Sequence, residues 1–403
     1  FFSNFWENVK EIFETVTTFL KDLITGVWEK IIEITTSIWD KIAGFISEVW
    51  ENIKELFKEG TNVFFHPFMK KTNYQYHYFF NTGRSAIEYL LRKLSSKYRN
   101  KKILLPSFNC SSVIDAVKRA GIDYELYSIT EDLQININDL KEKVTDNVKF
   151  IYIIHYFGNY QSDESFNLLM DLKKNNILLI EDLSHALYSS HPKYIGFGNY
   201  ILGSIRKWLP IPDGAFLSSR KPISMKSIES GYNEYAFNYF AAQVMKNAYL
   251  QDNTLDKEHY LKLISRANKS LFSDYTIRSI TELSKNYILN YNMTELIERR
   301  VNNYKYLLNN IKKYSFLKPV PLSKEGVVPF GMVILSEYRD ELLKFLIENN
   351  VYCNIHWNIP DECKNADVIS KNISELILTI PCDQRYSQEE MDYIIKTLDS
   401  FRI

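Results

Sequence analysis

The sequence reads as an α/β protein with a mostly parallel central sheet between helices. A small α+β C-terminal domain follows it, and an amphipathic helical extension precedes it. Three patterns carry this reading. Residues 177–180 (Ile-Leu-Leu-Ile) and 200–204 (Tyr-Ile-Leu-Gly-Ser) are apolar runs of the kind that form strands buried on both faces of a parallel sheet. Segments of helical period alternate with such runs after residue 78. A stripe of tryptophans with an 11-residue period occupies the first 60 residues and does not recur afterwards.

The domain boundaries follow from these patterns. Residues 1–60 form the Trp-stripe helical segment, 61–77 a linker, 78–250 a large domain, and 251–403 a helical connection with the small C-terminal domain. In the first segment Trp6, Trp28, Trp39 and Trp50 share one phase, with Thr17 in the missing slot. An apolar residue precedes each Trp and an acidic residue follows it. A period of 11 gives a nearly straight stripe, which suits a long helical partner, so this segment is expected to self-associate, the alternative being an extra helix packed on the rest of the protein. Its 6 lysines against 11 acidic residues argue against a membrane surface, where polar faces are usually basic.

Composition narrows the function. The chain has 403 residues, with 49 Lys plus Arg against 49 Asp plus Glu, so nothing points to nucleic acid or to an anionic membrane. Cys110, Cys353, Cys363 and Cys382 form no CxxC pair; they read as free thiols of a reducing compartment, and no metal is expected. No uncharged span is long enough to cross a bilayer, and no signal peptide is evident, which points to the cytoplasm. The chain begins with Phe, so residues upstream of it are expected.

The chemistry gathers at strand ends. Residues 177–180 end in Glu181-Asp182, and 200–204 in Ile205-Arg206-Lys207. Ligands of open α/β sheets bind beyond the carboxyl ends of the strands, which puts a carboxylate and an amine in one crevice. A desolvated Lys there is a candidate nucleophile. Upstream, Asn81-Thr82-Gly83-Arg84-Ser85-Ala86 opens a helix whose free N–H groups suit a phosphate, although capping by Thr82 or Ser85 explains the same residues. Residues 148–158 form an apolar strand ending in His155-Tyr156-Phe157-Gly158; His155 reads equally as a site residue or a core histidine.

In this order and rough spacing, the turn at Gly83, the Asp182 strand end, the Ser204-x-x-Lys207 stretch and the turn 208–214 resemble the DegT/StrS-like sugar aminotransferases. These are fold-type I enzymes that use pyridoxal 5'-phosphate (PLP). The likeness runs over residues 78–401. It implies that Lys207 is the Schiff-base lysine and Asp182 the partner of the pyridine nitrogen. Gly83, Arg84, Ser85 and Ser204 would hold the phosphate. Cys110 stands where relatives place the aromatic ring that stacks on PLP, with Phe108 two residues earlier. His185 stands where relatives more often have Gln, bonded to the phenolic oxygen, and His155 could reach cofactor or substrate. Similar enzymes have an Arg-rich segment here that approaches the substrate side, but Arg299 and Arg300 read rather as a charged helix face, and His356-Trp357 and Asp383-Gln384-Arg385 as loops bordering the site.

The resemblance further implies glutamate as amino donor, a nucleotide-linked keto-sugar as acceptor, and a homodimer with its sites at the interface. Two other readings stand beside it. One is an inactive PLP-fold assembly protein, motivated by the Trp stripe and by its weak likeness to phage tape-measure repeats. The other is a PLP-dependent sugar dehydratase, whose relatives replace the lysine by histidine, against which Lys207 speaks.

Overall fold

The computed structural model describes residues 74–402, except 225–227, 230, 253–255, 321, 323–324 and 364, together with Glu14, Thr17, Thr18, Lys21, Thr25, Gly26 and Glu29. The chain divides into two units, Phe1–Phe64 and Phe65–Ile403. The four tryptophans of the stripe and most of the 61–77 stretch lie outside the described residues; the seven described residues of the first unit are helical and exposed. The rest of this description concerns the second unit.

Seven strands form the central sheet: β1 (Tyr76–Phe80), β2 (Lys102–Pro106), β3 (Tyr124–Tyr127), β4 (Val148–Ile154), β5 (Leu178–Asp182), β6 (Tyr200–Ser204) and β7 (Ala215–Ser219). Their spatial order is β1-β7-β6-β5-β4-β2-β3. Strand β1 begins inside the stretch read as linker, at Tyr76. All neighbours pair in parallel except β7, which runs antiparallel to both β6 and β1. The reason is the short turn between β6 and β7. A parallel return needs a crossover of a dozen or more residues, and residues 205–214 are too few to cross the sheet.

Helices α1 (Gly83–Lys97) and α2 (Ser111–Arg119) cover one face, burying Leu90, Leu91, Leu94, Val113, Ile114 and Val117 in a core with Tyr152, Ile154, Ile180 and Leu202. Helices α3 (Ile137–Lys143) and α4 (Asp163–Lys174) cover the other, where Leu140 and Leu169 pack with Ile151, Ile153, Leu179 and Phe197. Strand residues one apart therefore enter different cores, as the two-residue side-chain period requires. The expected α/β class, mostly parallel sheet and small C-terminal domain are all present.

Beyond β7 come α5 (Glu234–Asp252), α6 (Lys257–Ser273), α7 (Glu282–Asn290) and α8 (Met293–Ile311). The small domain has an antiparallel sheet ordered β10-β9-β8, from β8 (Lys318–Pro319), β9 (Met332–Leu335) and β10 (Ile377–Ile380). Around it lie α9 (Arg339–Glu348), α10 (Val368–Leu376) and α11 (Gln388–Ser400), with a second core from Leu307, Met332, Ile334, Leu342, Leu378 and Met391. The Ser107 hydroxyl, just past β2, donates to the Asp367 carboxylate at 2.5 Å and lies 2.7 Å from the Ser370 hydroxyl, which ties the two domains together. Among the described residues no helix is long and apolar enough to cross a membrane.

After β4 the backbone makes a sharp turn. Phe157 adopts φ 53°, ψ 22°, and Gly158 φ 106°. A Cβ on Gly158 would stand 2.2 Å from the Val328 carbonyl oxygen. Gly158→Ala should therefore destabilise the protein by about 2 kcal/mol or more, because strain at positive φ and a backbone clash act together. Urea unfolding of the purified variant checks this; a midpoint equal to that of the parent would contradict it.

Candidate active site

The β5 end is built from polar groups that the apolar strand carries inward. Asp182 is buried, and its two carboxylate oxygens accept from the Tyr152 hydroxyl at 2.6 Å and the Ser184 amide at 2.7 Å. Ser184 stitches this end to its neighbour. Its hydroxyl accepts from the Ser204 amide at 3.1 Å, and its carbonyl from the Trp208 indole N–H at 2.9 Å. The turn carrying Lys207 is thereby fixed between Ser204 and Trp208, directly above Asp182's strand.

Lys207 Nζ lies 3.2 Å from His185 Nε2 and 6.0 Å from the Trp357 ring centroid. Burial holds its amine below the ordinary lysine range; Cys110 and Asp182 pull it back up, and Arg206 pushes it down further. His185 is buried, and burial, then Lys207, then His356 hold its ring well below the usual histidine value. His356 is pushed down to about 3, by burial first and Lys207 second. Both imidazoles are thus neutral near pH 7, so either can accept from an ammonium.

Aromatic rings enclose this group. His185 stacks on Phe330 with centroids 4.2 Å apart and planes 9° from parallel; Trp357 lies at 4.9 Å and Phe157 at 5.1 Å. His356 reaches the same place from the small domain, with Nδ1 3.0 Å from the Thr379 hydroxyl and its ring 5.3 Å from that of His185. His185 Nδ1 is buried and has no hydrogen-bond partner among the described residues.

The remaining expected residues divide into two groups. Gly83 stands beside Ser204, and a Cβ there would meet the Ser204 Cβ at an ordinary 3.6 Å. Cys110 precedes α2 and is half-buried, close enough to act electrostatically on Lys207. Phe108 is buried against Tyr156 and Trp357. By contrast, the Ser85 amide is taken by the Thr82 cap at 3.1 Å. The Arg84 guanidinium donates to the carbonyls of Leu271, in the last turn of α6, and Asp274, at 2.7 and 3.1 Å. His155 is not brought to Lys207. Its Nε2 lies 3.0 Å from Glu181 Oε2, and its ring meets Phe197 in the other core.

Sequence reasoning passed over Tyr152 and Phe330, and it read Arg300 with Arg299 as a charged helix face. Strand parity could have found the first, since Tyr152 shares its face with Ile154, which pairs with Asp182. Arg299 does lie on an exposed face, paired with Glu295 at 2.8 Å, but Arg300 is buried.

The amine's titration can be tested directly. Asp182→Asn removes a negative charge that favours protonated Lys207, so the variant's Lys207 should titrate at still lower pH. Rates of acylation of Lys207 against pH, read by mass spectrometry on the cofactor-free protein, should show the midpoint moving down; movement upward would refute the assignment.

Residues 50–200 match the DegT/DnrJ/EryC1/StrS aminotransferase family. The chain is 23% identical over 314 residues to a dTDP-3-amino-3,6-dideoxy-alpha-D-galactopyranose transaminase of Aneurinibacillus thermoaerophilus, covering 74% of this chain and 78% of that one. Its fold is similar to that of Spr1654 from Streptococcus pneumoniae, described as a sugar aminotransferase and solved in its PLP form, at TM-score 0.60 and 15% identity, over 81% of this chain and 87% of that one. It is also similar to that of ColD, a GDP-4-keto-6-deoxymannose-3-dehydratase solved with bound GDP-perosamine, at TM-score 0.57 and 17% identity, over 82% and 89%. One fold therefore serves more than one reaction among these relatives, and the reaction must be read from the site.

Proposed function

From a chain whose residues 50–200 are those of the DegT/DnrJ/EryC1/StrS aminotransferase family, and whose fold is that of sugar aminotransferases, we propose a PLP-dependent aminotransferase that moves an amino group from glutamate to a nucleotide-linked keto-sugar through Lys207. The observation that carries the reading is the Lys207 amine set 3.2 Å from a neutral His185, in the crevice that Asp182 closes. The family match ends at residue 200, so the role of Lys207 rests on this geometry.

The residues present fit the cofactor. His185 Nδ1 is a buried ring nitrogen awaiting a partner, and each Asp182 oxygen accepts one bond and retains further capacity. Asp182 would hold the pyridine nitrogen and its proton, and His185 the phenolic oxygen. Ser204 and the amides at Gly83 and Arg84, at the positive end of α1, would hold the phosphate. Cys110 and Phe108 would border the ring. When bound, PLP supplies an aldehyde that captures amines and a ring that takes up the electron pair released at the donor's Cα.

The chain's own groups do the rest. Burial keeps the Lys207 amine readily deprotonated, so Nζ can act as nucleophile and then take and return the proton at the donor's Cα. His185, neutral, accepts from the ammonium form and keeps Nζ directed. The rings of Phe157, Phe330 and Trp357 exclude water from that proton. A Lys at this position favours transamination over the dehydratase reading. The enzyme acts as a homodimer in this proposal.

Borohydride reduction of the holoenzyme should fix PLP irreversibly on the peptide carrying Lys207, and glutamate should support turnover of at least one nucleotide keto-sugar in a panel. Cofactor fixed on another lysine, or a panel without turnover, would overturn the proposal. Residues 1–60 serve assembly rather than catalysis in this reading, which the division of the chain after Phe64 supports. Their deletion should lower the oligomeric mass in light scattering and leave turnover within about twofold, as expected of a segment that forms its own unit; loss of PLP binding would show that the segment belongs to the enzyme's own core.

A further inference from the structure

Arg300 sits in the middle of α8 with 3% of its surface exposed. A guanidinium so buried is costly unless its donors are met. Here Nε and Nη1 are met by the walls of the active site. Nε donates to the Gln384 side-chain oxygen at 2.7 Å, and Nη1 to the carbonyls of Pro329 and Phe330 at 3.1 and 3.0 Å. The guanidinium also lies 4.4 Å from the Trp208 ring centroid. Gln384 completes the figure, donating its amide N–H to the Trp208 carbonyl at 2.7 Å.

Two routes lead from this one group to the reacting amine. Through Trp208 it holds the residue next to Lys207, on its ring directly and on its carbonyl through Gln384. Through the Phe330 carbonyl it holds the ring that stacks on His185, and His185 meets Lys207 Nζ. We propose that Arg300 is a positioning residue: a fork that joins the Trp208 turn of the large domain to the 329–330 segment of the small one and thereby sets the Lys207 amine against His185. The inference rests on the reading of Lys207 as the reacting amine. A planar fork is needed, because a lysine ammonium offers a point charge and cannot bridge Gln384 and two carbonyls while covering an indole.

The test compares Arg300→Lys, Arg300→Met and Gln384→Leu. In cofactor-free protein, the pH midpoint of Lys207 acylation should rise by about one unit in both Arg300 variants, as water reaches a loosened amine. Arg300→Lys keeps the charge, so its shift separates positioning from electrostatics. In the holoenzyme kcat should fall about tenfold or more, with KM for the amino donor within about threefold, as expected when a reacting group is misplaced by a fraction of an ångström. Gln384→Leu should move both readouts the same way by less, and it serves if the Arg300 variants do not fold. An unchanged midpoint in a folded Arg300 variant, or in Gln384→Leu when neither Arg300 variant folds, would overturn the proposal, as would a shift in Arg300→Met without one in Arg300→Lys. Failure of borohydride to fix PLP on Lys207 in the parent enzyme would instead overturn the functional reading, while the acylation midpoints would still judge the fork.

Discussion

Glu181 and Asp182 are consecutive in a strand buried on both faces, so their carboxylates must point to opposite sides of the sheet. Much of the site follows from that constraint. Glu181 turns into the core beneath α3 and α4, where it accepts from the amides of Gly196 and Gly198 and meets His155. Asp182 turns towards α1 and α2, where Tyr152 and Ser184 hold it. The excursion between β5 and β6 is thus anchored at its far end by one carboxylate and at its near end by the other. Ser184, the residue before His185, is held by Asp182.

The second determinant is exclusion of water. Lys207 follows a buried strand, and the small domain closes over it with Phe330, His356 and Trp357. Aromatic rings are suited to this because they cover large areas with few rotatable bonds. The same desolvation lowers the amine and both imidazoles together, and the charge on Lys207 lowers the two rings further.

The strand ends were legible because burial on both faces leaves an unbroken apolar run, and the first polar residues after it mark the crevice. Asp182, Lys207 and His185 could be read that way, as could Gly83 beside the start of a periodic helix. The antiparallel course of β7 followed from a turn length that was visible but not weighed. Arg300 was not legible: its neighbour Arg299 has the same chemistry and is exposed, and only packing 84 positions away, at Gln384, tells them apart. His155 was ambiguous for a similar reason, since the parity that sends it to Glu181 depends on where β4 ends. The short β8 and helix α10 carry too few periodic residues to stand out.

The contact from Gln384 to the Trp208 carbonyl has a consequence for the order of synthesis. The two residues are 176 positions apart, so the wall around Lys207 cannot be finished while the chain is still emerging. A nascent chain ending before the small domain would carry the strands of the sheet and an amine still open to water. Competence for chemistry arrives only with the last strand and the loop behind it. On the proposed reading of Lys207, the chain is thereby spared a reactive amine during the interval when it is least able to control one.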